Sequence, residues 1–129
     1  MKFVSVILIA TCVTILVTTG HAQPSPQPNL FSANNLMKGC RSFLAGKWES
    51  TDTRDDAFIR GVCVGTVTTL VATAEAIGTT TGVCRPEQAT ISQQVRVVVT
   101  YIDARPNRFH EDLRVLSMEA LRDAWPCKR

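Results

Sequence analysis

Behind Lys2, apolar residues run almost without interruption from Phe3 to Val17; downstream the pattern changes to four stretches in which apolar positions recur every three or four residues. That repeat belongs to helices with one buried face. In the first stretch, residues 32–48, Leu36, Cys40, Phe43 and Leu44 form the stripe, Ser32 is placed to cap the amino end, and the polar run 49–56 ends the helix. The second, 55–77, carries Phe58, Ile59, Val62, Leu70 and Ala74, with Asp55 and Asp56 near the positive end of the helix dipole. Its middle is rich in Val and Thr, which favour strands. Helix remains the better reading, because Gly61 and Gly65 stand four residues apart, a spacing that admits a second helix closely, and residues 72–76 are helix-compatible.

Residues 78–86 are rich in Gly and Thr and read as a loop, after which Thr90-Ile91-Ser92-Gln93 fits a capping box that opens a third helix. Ile91, Val95, Val98 and Ile102 make its stripe, and Pro106 stops it. The fourth stretch, 109–125, places Phe109, Leu113, Leu116, Ala120, Leu121 and Ala124 at helical spacing until Pro126. Four amphipathic helices joined by short connections predict an all-α fold, a four-helix antiparallel bundle.

The opening apolar run is short of the roughly 20 residues a membrane span needs, and Gly20-His21-Ala22 supplies small residues for cleavage, so residues 1–22 read as a cleaved signal peptide. Residues 23–30 alternate Pro24, Pro26 and Pro28 with small polar residues and read as an extended linker, leaving 31–129 as the helical domain. With 45% hydrophobic and 19% charged residues the composition is that of a globular domain. The net charge of +3, from which the leader takes Lys2, is too small to argue for nucleic acid or for a membrane once the leader is gone.

Cys12 leaves with the leader, so Cys40, Cys63, Cys84 and Cys127 remain, with no C-x-x-C pair among them. An even number in a small exported chain predicts two disulfides rather than a zinc site. In an antiparallel hairpin, residues equidistant from the turn lie opposite one another. The midpoint of Cys40 and Cys63 falls in the 49–56 connection, and that of Cys84 and Cys127 at Arg105-Pro106, which predicts those two pairs. The loops they close are worth about 3 and 4 kcal/mol in the chain-entropy model.

Catalytic chemistry is scarce. His110 is the one histidine left after export, and Ser42, Ser92 and Ser117 lack a nucleophile-elbow context. Paired cysteines offer no thiolate, and the adjacent acids at 55–56 and 111–112 are accounted for by capping and the helix dipole. Residues 78–82 lack the Lys of a phosphate-binding loop. The reading is a binding protein with no catalytic residues, no metal and no cofactor.

The succession Asn35-Leu36-Met37-Lys38-Gly39-Cys40, Cys63-Val64-Gly65, Cys84-Arg85-Pro86, Gln94-Val95-Arg96-Val97-Val98, Tyr101-Ile102, Arg105-Pro106, His110 and Ala120-Leu121-Arg122-Asp123-Ala124-Trp125-Pro126-Cys127 resembles the Rap/Tai type immunity proteins. The resemblance implies a small helical periplasmic protein, often dimeric, that neutralises a peptidoglycan-degrading amidase delivered by a type VI secretion system. Two positions depart from the family pattern: Thr66 stands where an aromatic residue is usual, and Asp112-Leu113 where a small residue is usual. The alternative is a general periplasmic stress or chaperone-like protein without a toxin partner. For a protein partner, the expected contact is the 78–86 loop through Thr79, Thr80, Thr81, Gly82 and Arg85: hydroxyls for hydrogen bonds, glycine for close approach, and the Cys84 tether to lower the ordering cost.

Overall fold

The computed structural model describes residues 29–46 and 52–128. The leader, the linker up to 28 and residues 47–51 lie outside the described residues. Four helices pack with antiparallel neighbours: α1 (Ala33–Ala45), α2 (Arg54–Ile77), α3 (Ile91–Asp103) and α4 (Leu113–Ala124). No strand occurs among the described residues, only two isolated bridges, Ser32 with Asp112 and Val83 with Pro126.

Capping chemistry sets most of the helix ends. Thr53 and Asp56 form a capping box on α2, and Thr90 and Gln93 form the one expected on α3. Ser32 holds the N-cap position of α1 without a side-chain hydrogen bond. That helix stops at Ala45, short of the Trp48 expected from sequence, because Gly46 adopts the left-handed conformation (φ 62°) and closes the last turn. The fourth helix is corrected at its start. Pro106–Arg108 is a 3-10 turn, Phe109 belongs to the connection, and the Asp112 carboxylate accepts the Arg114 N–H at 2.9 Å, so α4 begins at Leu113.

The core is a single cluster in which Met37, Val67, Val95, Ile102, Leu113 and Leu116 are almost wholly buried. On α2 the inner face is Cys63, Val67, Val71 and Ala74, together with Arg60, whose guanidinium donates to the Ser42 hydroxyl at 3.0 Å and to the Asp52 carboxylate. Phe58, expected in the core, is 67% exposed instead, and Ile91 is 48% exposed. A helix apolar on every side does not announce which face turns inward. Nor do Gly61 and Gly65 seat a neighbouring helix: a Cβ at either would meet nothing within 4 Å. Gly39 does, for its Cα lies against the Ile59 carbonyl of α2.

Both disulfides form with the expected partners, Cys40 with Cys63 (Cα separation 5.4 Å) and Cys84 with Cys127 (4.9 Å). The first is buried between α1 and α2. The second joins the 78–86 loop to the chain beyond α4 and lies nearer the surface.

Candidate functional site

The second disulfide gathers the loop expected to meet a partner. Gly78 (φ 82°) ends α2, Thr79–Thr81 makes one 3-10 turn, and Gly82 (φ 74°) turns the chain towards α4. There the Arg122 Nε donates to the Thr81 carbonyl at 2.7 Å, and the Cys84 N–H donates to the Trp125 carbonyl at 2.8 Å. Thr79 and Thr80 point their side chains to solvent, while Thr81 and Gly82 are half-buried. The Thr81 hydroxyl donates to the Gly78 carbonyl at 3.0 Å and accepts the Val83 N–H, which holds the turn.

Arg85 is occupied inwardly. Its Nε donates to the Glu75 carboxylate at 2.7 Å, and its Nη1 donates to the carbonyls of Pro86, Glu87 and Ala89 at 2.9, 3.1 and 3.1 Å. Among the five loop residues singled out from sequence, the structure thus leaves two open to solvent and gives Arg85 the task of shaping the connection to α3.

Beside the loop lies a feature the sequence reading missed. A groove of about 680 Å3 runs along α3 and the last turn of α4, from Pro86 and Trp125 at the loop end to Tyr101 and Arg105 at the other. Val97, Tyr101 and Ala104 supply its floor from one side of α3, and Ala120 and Ala124 face them from α4. The signal was present in the spacing of 93, 97, 101 and 104, a second helical stripe masked by the stronger one at 91, 95, 98 and 102. Arg96 stands on the rim and makes no ion pair among the described residues.

The far end of the groove is fixed by a charged network. The Arg105 guanidinium stacks 3.6 Å from the Tyr101 ring centre, and the Tyr101 hydroxyl donates to Glu119 at 3.0 Å. Arg108 donates to Glu111 and Glu119, and its hydrogen bonds hold both carboxyls below the usual carboxylate range. The bonds to Glu111 and then Glu119 push the Arg108 guanidinium further above its ordinary value.

His110 is exposed on the turn before α4, Ser117 is fully buried, Ser42 is bonded to Arg60, and all four cysteines of the domain are in disulfides. Among the described residues no three His, Cys, Asp or Glu side chains converge as metal ligands. Shape, hydroxyls and cations are what the surface offers a partner.

The family model of Rap1a immunity proteins matches residues 32–127, from the N-cap of α1 to the last cysteine. The chain belongs to that family. Membership makes it an immunity-type protein, whose work is to bind an effector, and the two disulfides fit a protein that functions outside the cytoplasm. No curated protein and no solved structure matches the chain. Thr66 lines a hollow on α2 that Arg114 also lines, and the Arg114 Nε donates to the Asp112 carboxylate at 2.9 Å.

Proposed function

We propose that the chain is a periplasmic immunity protein, a homodimer, that neutralises a peptidoglycan amidase effector of a type VI secretion system by protein-protein binding. The observation that carries this reading is the family match over the whole helical domain. The effector-facing surface is the edge made by Thr79, Thr80, Thr81 and Gly82, shaped by Arg85 and continued by the adjoining groove. Pinned at both ends by Gly78 and the Cys84 to Cys127 bridge, that edge loses little freedom on binding.

Co-expression in a bacterial periplasm tests the reading. A cognate type VI peptidoglycan amidase is expected to lyse cells when exported alone, and co-export of the protein to restore growth. Thr80→Arg and Arg96→Glu, both at solvent-exposed positions, weaken protection while leaving the fold intact. Lysis that continues despite full export of the protein contradicts the proposal. Rescue of unrelated aggregating proteins without any effect on amidases would instead support a chaperone-like role.

A further inference from the structure

The two disulfides differ in what surrounds them. Cys40 and Cys63 are both wholly buried between α1 and α2, where Gly39 brings one helix against the Ile59 carbonyl of the other. Cys84 is exposed and Cys127 half-buried. Exchange requires a thiolate to reach one sulfur of the bond, so access decides which disulfide a reductant can attack. The first bridge is reached only by parting two helices of the core, whereas the second is reached with the core closed.

Local charge acts in the same direction. Arg85 follows Cys84, Lys128 follows Cys127, and no acidic residue stands within two positions of either cysteine. A cationic setting favours the thiolate that must leave. We infer that the Cys84 to Cys127 bond is a thiol-disulfide exchange site for a protein dithiol of the thioredoxin class, and that its reduction frees the 78–86 loop from the end of α4 while the Cys40 to Cys63 bond stays intact.

The exchange balances with one such partner. A thiolate of the dithiol attacks the exposed Cys84 sulfur, and Cys127 leaves as a thiolate that takes up a proton. The second thiol of the dithiol then attacks the mixed disulfide, closing the reductant's own disulfide and returning Cys84 as a thiol. Two electrons and two protons pass to this chain, and the dithiol is oxidised.

The remaining ties of the loop are slight. Within it the bonds are local, the Thr81 hydroxyl donating to the Gly78 carbonyl and accepting the Val83 N–H. Towards α4 the loop is held by the exposed Arg122, whose Nε donates to the Thr81 carbonyl, by the Cys84 N–H on the Trp125 carbonyl, and by the buried Val83 side chain. Beyond Ala124 the chain leaves the helix, so the bridge is the covalent anchor of that end, closing positions 43 apart in sequence. Opening the bond returns the conformational freedom of that closure to the loop.

The bond also stands where the two parts of the proposed effector surface join. Pro86, two residues from Cys84, and Trp125, two residues from Cys127, line the loop end of the groove, and Thr79 to Gly82 precede Cys84 in the chain. One reduction therefore loosens both. This consequence for the effector rests on the surface proposed above, whereas the exchange site does not.

The exported, oxidised protein is treated in native buffer with graded dithiothreitol or with a reduced thioredoxin-class protein, and free thiols are trapped with iodoacetamide and located by peptide mapping. Alkylation is expected at Cys84 and Cys127 while Cys40 and Cys63 remain linked, with helical circular dichroism unchanged. Proteolytic cleavage within 78–86 is expected to rise at least about tenfold in the trapped form, and the double variant Cys84→Ala, Cys127→Ala to show the same rise without reductant. Alkylation of all four cysteines together, or of Cys40 and Cys63 first, overturns the exchange site. Reduction by dithiothreitol but not by the protein dithiol overturns the class of partner, and selective alkylation with cleavage unchanged overturns the release of the loop. The trapped form, freed of reductant, is then titrated into a cognate amidase, where inhibition at least about tenfold weaker than that of the oxidised protein is expected. Equal inhibition by the two forms overturns the coupling to the effector alone. An oxidised protein that does not inhibit overturns the immunity reading and leaves the cysteine mapping to decide the exchange site.

Discussion

Gly39 shows how much one side-chain hydrogen decides. A methyl group there would press onto the Ile59 carbonyl and lie 2.7 Å from the Arg60 nitrogen, both backbone atoms that cannot step aside without moving α2. Gly39→Ala is expected to destabilise the fold by about 1 to 3 kcal/mol, the usual range for overpacking, despite the better helix propensity of alanine. Thermal or urea unfolding checks it, with Gly61→Ala as the comparison that unfolds no earlier than the parent. The sequence assigned close approach to Gly61 and Gly65 because it shows spacing but not which side of a uniformly apolar helix faces inward. Arg60 was unreadable for the same reason: a cation in an apolar run becomes intelligible once Ser42 and Asp52 are seen around its guanidinium.

At the level of elements, capping boxes and cysteines were the legible signals, since each depends on local chemistry or simple hairpin symmetry. The order of four helices, the box at Thr90 and Gln93 and both disulfide pairs follow from the sequence. The start of α4 did not, because the turn before it is made by contacts with α1: the Ala33 N–H donates to the Glu111 carbonyl at 2.9 Å, and the Leu113 N–H to the Phe31 carbonyl at 2.7 Å. The groove was hidden by a different limit, since Val97 and Tyr101 form a second, shorter apolar edge on α3 and only packing shows that it stays open. The near-surface disulfide is the element on which the proposed effector edge depends. Replacing Cys84 and Cys127 together by alanine is expected to cost about 2 to 5 kcal/mol and to open residues 78–86 to limited proteolysis. Unchanged stability and unchanged cleavage in that variant would show that the bridge does not clamp the loop.

Over the whole molecule, ion pairs tie the helices at their ends, Lys38 with Asp56 between α1 and α2 and Arg41 with Asp103 between α1 and α3. The Lys38 ammonium and the Thr53 cap hold the Asp56 carboxyl down at about 2, against an ordinary 3.8. Arg114 lowers Asp112, and Arg108 lowers Glu111 and Glu119. A carboxyl depressed in the folded state stabilises it above the unfolded pKa and loses that contribution as pH falls through the folded value. The melting temperature should therefore be flat between about pH 5 and 8 and decline from about pH 4 towards 2, a trend scanning calorimetry reads directly; a rise in stability over the acid window would contradict these pairings.

The central claim is that the chain works by binding and silencing a cell-wall amidase, and the most direct measurement is a titration of the protein into that enzyme acting on purified peptidoglycan. The account predicts that hydrolysis by a cognate type VI peptidoglycan amidase falls to background at one protein chain per enzyme, with the Thr80→Arg and Arg96→Glu variants requiring excess. Hydrolysis that continues unchanged at saturating protein would contradict it.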